Sequence, residues 1–346
     1  MRKKWVWKKQ QLLCLLCTAM ILCCGCADKN IYVTSFDKEY LFSLGENNVT
    51  VTEYSLVLLE VQKKYEEYYG EILGEDIWQR ETEEGIPFEE YVQEHIVLDE
   101  LVNLEALQIA AEELTLTLSE EEQEDAKKAA AEYMQTASKE TISYCGGNEE
   151  LIQILMEKYL MAGKVIAYYS EQADLEVSEN EARAIRIQVL TLDDAETAWK
   201  VTGALEEGVS FQTITERFGS GEPIEYNVVR GELLEDIEEV AFALGQDECS
   251  PVLETENGYY VVYCMNDYLA DLTEGNRQNI IRQRIYDAWS SKVQEVREGV
   301  KLTMNHSEWN KIQMAEDTAV ENCFFQIYEK YFGNTTFGVF TDELQQ

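Results

Sequence analysis

The sequence predicts an α+β fold in which a compact unit of short strands and helices is inserted into a discontinuous helical lobe. Apolar residues recur at amphipathic helical spacing on both sides of residues 181–268. Between these segments, short β-branched runs alternate with short helical runs. The length of 346 residues suits roughly two domains of about 150 residues each.

The composition of the chain indicates a folded protein and argues against one class of partner. Hydrophobic residues make up 45% of the chain, which is enough for packed cores. The formal net charge of −39 argues against a nucleic-acid partner, because phosphate backbones require a basic surface. The acidic surface is either a solvated surface without a specific partner or one that attracts basic segments of other proteins.

Residues 1–26 are typical of a secretory signal. A basic start, MRKKWVWKK, precedes an apolar run over 11–24 that is too short to span a membrane. The run ends in Gly25-Cys26 and resembles a bacterial lipobox, although Cys23 stands where the usual pattern prefers Leu. We therefore expect Cys26 to carry lipid and to anchor the chain at the extracytoplasmic face of the cell membrane. The alternative is cleavage nearby without lipidation.

A tether over 27–44 is expected to lead into a helical lobe over 45–180. Apolar residues recur at helical spacing over 52–70, 88–114 and 149–170. Ser119 with Glu122 has the spacing of a capping box and predicts the start of a further helix.

Residues 181–268 change character and predict the element order β-α-α-β-α-β. The predicted strands are AIRIQVL (184–190), YNVVRG (226–231) and GYYVVYC (258–264), and the helices cover 193–207, 210–218 and 236–244. Trp199 and Leu205 are expected to face inward from the first of these helices.

Beyond this unit, a returning helix and strand over 269–305 are expected to pack on the helical lobe. Residues 306–346 are expected to form a partly disordered C-terminal extension, with a weak helix over 316–330 and a loose tail over 331–346. Outside the leader, Cys145, Cys249, Cys264 and Cys323 are widely separated, and His95 and His306 are the histidines of the chain. This scatter gives no metal-ligand spacing, so we expect neither a metal nor a cofactor.

Three segments in order resemble the parvulin-type (PpiC-type) peptidyl-prolyl isomerase domain. They are ALEEGVSFQTITERFG (204–219), RGELLEDIEEVAFAL (230–244) and SPVLETENGYYVV (250–262). With its leader and helical segments, the chain as far as about residue 300 resembles the lipoprotein foldase family that includes PrsA and, more distantly, SurA. The resemblance implies a parvulin-like domain inserted in a chaperone lobe that binds unfolded secreted proteins, with a homodimer as a further possibility.

The resemblance also assigns positions to a site. Leu233, Ile237 and Phe242 match the apolar proline pocket. In the family, two hydrogen-bonded histidines stand beside this pocket, and here Arg186 and Tyr260 are the matching residues.

Two further polar positions of the family site are matched less closely. Gly221 is nearest to the family's Asp or Cys, and Thr255 is the candidate hydroxyl. The catalytic set is thus degenerate, with Arg186, Gly221, Thr255 and Tyr260 at its positions.

Three functions remain open on these residues. The first is a lipid-anchored chaperone for unfolded secreted proteins, with weak or absent isomerase activity. The second is an active prolyl isomerase in which Arg186 and Tyr260 donate hydrogen bonds to the substrate carbonyl. The third is a structural lipoprotein scaffold that uses the parvulin fold as a docking surface.

Overall fold

The computed structural model describes residues 37–74, 77–219, 223–316 and 324–333. The predicted leader with Cys26, as well as Gly221 and Cys323, lies outside the described residues. Two compact units are present: an outer unit of residues up to 163 and from 293, and an inserted unit of residues 164–292. Helices and strands occur in both units, which confirms the α+β class.

A small sheet joins the two segments of the outer unit. Strands β1 (Tyr40–Leu44) and β2 (Asn47–Thr50) form a hairpin, and β7 (Leu302–Met304) pairs with the other side of β1. Phe42 lies opposite Met304 and is fully buried. Residues 40–44 were expected to end a tether, but their apolar side chains are buried and they form β1 instead.

The helices of the outer unit follow the predicted pattern. Their bounds are α1 Val51–Leu73, α2 Phe88–Tyr91, α3 Leu98–Glu113, α4 Glu120–Thr136, α5 Lys139–Cys145, α12 His306–Trp309 and α13 Phe324–Phe332. A 3₁₀ turn covers Ile77–Gln79, and a π-helical segment over Val92–Val97 joins α2 to α3. Both expected capping partners are in place at α4, where Ser119 and Glu122 cap each other.

The C-terminal extension contributes a helix to the core of the outer unit. Phe324, Phe325, Ile327 and Tyr328 of α13 are all buried. The ring of Phe324 packs edge-on against Tyr133. Its backbone amide donates to the Glu60 carboxylate at 2.7 Å. Residues 324–332 form this helix, which overlaps the stretch 316–330 where a weak helix was expected, and four apolar side chains become buried on one helical face.

Two carboxylates and one lysine form a buried network in the outer unit. Lys158 Nζ lies 2.7 Å from Glu53 Oε1 and 2.5 Å from Glu105 Oε1, and both carboxylates are almost fully buried. Burial alone lowers the pKa of Lys158, but the two carboxylates raise it above its ordinary value. The lysine therefore stays protonated and neutralises part of the buried negative charge.

The inserted unit is built on a four-stranded antiparallel sheet within the described residues. Its strands are β3 Ile185–Leu192, β4 Ile224–Val228, β5 Leu253–Thr255 and β6 Gly258–Asn266, in the order β4-β3-β6-β5. Helices α7 (Glu179–Ala182), α8 (Ala195–Glu206), α9 (Phe211–Phe218) and α10 (Glu235–Ala243) complete it. Two long helices, α6 (Glu149–Ser170) and α11 (Ala270–Gly299), contain the boundaries between the units.

Two apolar clusters lie on the faces of this sheet, since successive strand residues point to opposite sides. The α10 cluster comprises Ile185, Ile187, Val228, Ile237, Ala241, Phe242 and Val262. The α8–α9 cluster comprises Leu190, Leu192, Ala198, Val201, Phe211, Ile214 and Val261.

Trp199 departs from its expected inward orientation. Its side chain is 77% exposed, whereas Ala198 and Val201 of the same helix are buried against the sheet. Consecutive helical positions differ by about 100°, so Trp199 points away from the face that Ala198 occupies. The buried face of α8 is therefore formed by the smaller residues Ala198 and Val201.

None of the helices in the described part of the chain has the length and apolar character needed to cross a membrane. Cys145, Cys249 and Cys264 are free thiols. Burial raises the pKa of the Cys145 thiol to about 12 and that of Cys249 to about 11. Both thiols are therefore protonated and weakly nucleophilic near neutral pH.

We predict that Lys158→Met lowers the free energy of unfolding of the outer unit by about 3–5 kcal/mol, because Glu53 and Glu105 lose the cation between them. The measurement is denaturant unfolding followed by circular dichroism. Lys128→Met is the control, because Lys128 forms an exposed ion pair with Asp125, and its effect is expected within about 0.5 kcal/mol. Equal effects of the two substitutions would contradict a stabilising role for the buried network.

Candidate functional site

The three predicted pocket residues meet on one face of the inserted sheet. Ile237 and Phe242 project from α10 into the α10 cluster, where they are 6% and 4% exposed. Leu233 packs against the same cluster from the segment before α10 and is half-buried. Leu233, Ile237 and Phe242 therefore lie together, as part of a core that the protein fills itself.

Two arginines flank the ring of Phe242. The guanidinium carbon of Arg230 lies 4.5 Å from the ring centroid, and that of Arg183 lies 5.5 Å from it. Arg183 also donates a hydrogen bond to the Phe242 carbonyl, and Arg230 donates to the carbonyl and side-chain oxygens of Asn180 at 3.0 and 2.9 Å. These contacts fix the ring by cation–π attraction and leave little of it accessible.

Tyr260 reaches the same cluster from β6. It lies opposite Thr191 of β3 and Leu253 of β5, and its ring packs against the α10 cluster. Its hydroxyl donates to the Asn257 carbonyl at 3.1 Å, within the turn that joins β5 to β6. This hydrogen bond stabilises the hairpin formed by β5 and β6.

Thr255 is also engaged in this turn. Its hydroxyl accepts from the Asn257 amide at 3.1 Å and donates to the Gly258 carbonyl at 3.3 Å. Gly258 has a φ of +131°, a conformation that favours glycine. The structure therefore gives Thr255 a local role in the hairpin, close to Tyr260 in sequence and space.

Arg186 does not join this group. Its neighbours Ile185 and Ile187 belong to the α10 cluster, so its own side chain points to the opposite face. Its Nε donates to Asn227 Oδ1 at 2.8 Å and lies 3.6 Å from Glu225 Oε1. Five positions separate it along β3 from Thr191, the residue opposite Tyr260, which is roughly 16 Å of strand.

The residues of β3 that do neighbour Tyr260 are Thr191 and Val189. Thr191 is directly opposite, and Val189 is two positions away on the same face and packs on the α10 cluster with Tyr260. Cross-strand register, which the sequence motif alone did not provide, identifies these positions. The alternation of side chains along a strand indicates which residues share a face with Tyr260 on β6. It cannot identify the neighbours on β3 unless the pairing of the two strands is known.

The chemistry that this face can perform follows from these neighbours. Apolar side chains and hydroxyls surround Tyr260, whereas both histidines of the chain, His95 and His306, belong to the outer unit. Among the described residues, no three His, Cys, Asp or Glu side chains lie together in a way that could hold a metal ion. The face is suited to apolar contact and hydrogen bonding rather than to proton transfer near neutral pH.

Comparison with known proteins gives a sequence relationship. No protein-family model matches the chain. The foldase protein PrsA of Caldanaerobacter subterraneus is 22% identical over 283 residues, which cover 73% of this chain and 86% of that protein. The chain is PrsA-like. The PrsA of Halalkalibacterium halodurans is 24% identical over 139 residues, covering 38% of this chain and 42% of that relative.

Solved structures with some similarity come from the same group of proteins. PrsA from Bacillus cereus matches with a TM-score of 0.36 and 13% identity, covering 72% of this chain and 97% of that one. A SurA-like chaperone of Campylobacter jejuni matches with a TM-score of 0.30 and 11% identity, covering 77% and 98%.

We predict that histidines placed at 186 and 260 do not interact, because these positions are on opposite faces of the sheet. In the Arg186→His/Tyr260→His variant, NMR titration should give independent pKa values for the two introduced histidines, beside the signals of His95 and His306. Thr191→His/Tyr260→His is the matched pair, since its positions are directly opposite, and each histidine should shift the pKa of the other. Coupled titration in the first variant and not in the second would overturn the register.

Proposed function

We propose that the protein is an extracytoplasmic folding factor that acts mainly as a chaperone and binds unfolded secreted proteins. The observation that carries this proposal is the similarity to PrsA over 73% of the chain. The acidic surface is compatible with binding unfolded chains that carry basic residues, since opposite charges favour encounter.

Weak or absent prolyl isomerase activity is the second part of the proposal. Rotation about a peptide bond before proline has a barrier of about 18–20 kcal/mol, so an active site must stabilise the twisted amide. Beside Tyr260, Val189 supplies an aliphatic side chain and Thr191 supplies a hydroxyl. The Tyr260 hydroxyl itself donates a hydrogen bond to the Asn257 carbonyl. The proposed pocket residues Leu233, Ile237 and Phe242 belong to the α10 cluster or pack against it.

Anchoring by lipid at Cys26 completes the proposal. It is supported by the basic start, the apolar run over 11–24 and the Gly25-Cys26 pair. Two or more acyl chains would hold the protein stably at the outer face of the cell membrane, where secreted chains emerge and fold. The chaperone would then act at the site of client release.

Aggregation of a reduced, unfolded secreted protein is the test of the chaperone activity. Light scattering should fall in proportion to added protein and reach near-complete suppression at a few-fold molar excess. Serum albumin at equal mass is the control for crowding. Absence of protection at a ten-fold excess would remove the chaperone function and favour a scaffold that only docks folded partners.

Isomerase activity is tested separately by NMR exchange on an Ala-Pro peptide. We expect exchange at the uncatalysed rate, which corresponds to about 10–100 s. Catalysis at a rate comparable to an intact parvulin, abolished by Tyr260→Phe, would instead establish an enzyme with a substituted site.

A further inference from the structure

The outer edge of β4 is open along most of its length. β4 is the terminal strand of the sheet order β4-β3-β6-β5 and pairs with β3 alone among the described strands. Four consecutive residues, Ile224 to Asn227, are exposed. Alternate residues of an antiparallel edge strand direct their N–H and C=O groups away from the neighbouring strand, so this edge offers unpaired backbone groups.

The side chains of β4 divide into two rows. Ile224 and Tyr226 lie opposite Val189 and Ile187 of β3, on the face of the α10 cluster, and are 56% and 40% exposed. Glu225 and Asn227 point to the other face. A strand added at this edge would place alternate side chains beside the apolar row and the intervening ones beside the polar row.

This edge has only part of the protection common in natural sheets. Edge strands are usually shielded by charged side chains, by proline, by a bulge, by a very short length or by a covering element. β4 carries one charged residue, Glu225, and follows Pro223, but it has no lysine and its pairing with β3 runs through five successive residue pairs without a bulge. The other terminal strand, β5, has only three residues.

Charge indicates which kind of segment fits. Residues 164–292 contain 26 acidic and 10 basic side chains, for a formal charge of −16. Glu225 is half-exposed on the polar row with Arg186 3.6 Å away, and Glu235, Asp236 and Glu238 begin α10 on the other face. The net charge of the unit would therefore attract a strand that carries basic residues, whereas a second copy of this unit would be repelled.

We infer that β4 is a docking edge for extended chain segments that have apolar residues at alternate positions and Lys or Arg between them. The inference deepens the proposed function, since it names the class of client segment and the place where it binds. Backbone pairing supplies affinity without regard to sequence, and the Ile224–Tyr226 row adds preference for apolar side chains. A five-residue edge forms few hydrogen bonds, each with a small net gain, so binding should be reversible.

The test uses the full-length protein and the peptide acetyl-Gly-Lys-Val-Lys-Phe-Lys-Val-Gly-amide. Hydrogen exchange should slow for the backbone amides of residues 224–228 when the peptide is added. Three matched peptides serve as controls. One has Glu in place of each Lys, and the other two are complementary versions N-methylated at alternate residues, one for each peptide edge. The Glu peptide should bind at least ten-fold more weakly, and one N-methylated version should lose both binding and protection.

Substitution of the apolar row provides the matched variants. Ile224→Lys/Tyr226→Lys should weaken peptide binding at least ten-fold, by removing apolar contact and adding repulsion. Trp199→Lys/Gln212→Lys adds the same charge at exposed positions of α8 and α9, and its affinity should stay within two-fold of the parent. Unchanged exchange of β6 amides in both variants would verify that the sheet is intact.

The outcomes separate this inference from the chaperone proposal. In one outcome the parent suppresses aggregation, the peptide leaves the β4 amides unprotected, and the Ile224→Lys/Tyr226→Lys variant is equally active. This result would overturn the docking edge and leave the chaperone function standing. Peptide binding with β4 protection but no suppression of aggregation would support the edge and remove the chaperone function. Concentration-dependent self-association that the same variant abolishes would assign the edge to a second copy and overturn the inference.

Discussion

The antiparallel pairing of β3 with β6 organises the inserted unit, because its register decides which side chains share a face. Ile187, Val189 and Thr191 stand opposite Cys264, Val262 and Tyr260. A shift by one residue would move every side chain of β3 to the other face. The α10 cluster, the α8–α9 cluster and the neighbours of Tyr260 all follow from this one alignment.

The same register places the residues of α10 against a buried face of the sheet. Ile237 and Phe242 are buried against the sheet, so the fold itself requires large apolar residues there. Packing of the sheet does not require a titratable group beside Tyr260. The neighbouring positions on β3 hold Val189 and Thr191. An apolar face with local hydrogen bonds suits reversible contact with extended chains, and the open β4 edge borders that face.

The outer unit depends on a different kind of interaction. Its core includes buried carboxylates that each have a partner: Lys158 contacts Glu53 and Glu105, Tyr159 donates to Glu100, and the Phe324 amide donates to Glu60. Leaving one of them unpaired in the core would cost several kcal/mol. These contacts link α1, α3, α6 and α13, which come from distant parts of the chain.

The sequence by itself determined the periodic features: the α+β class, the long helices and the strands over 184–190 and 258–264, because helical and strand spacing are local properties. The resemblance of residues 230–244 to a parvulin domain indicated Leu233, Ile237 and Phe242 as one apolar group. Only the tertiary structure decided that Arg186 and Tyr260 are apart, that Trp199 is exposed and that β1 pairs with β7. Register and strand order are set by contacts between residues remote in sequence, and no local pattern encodes them.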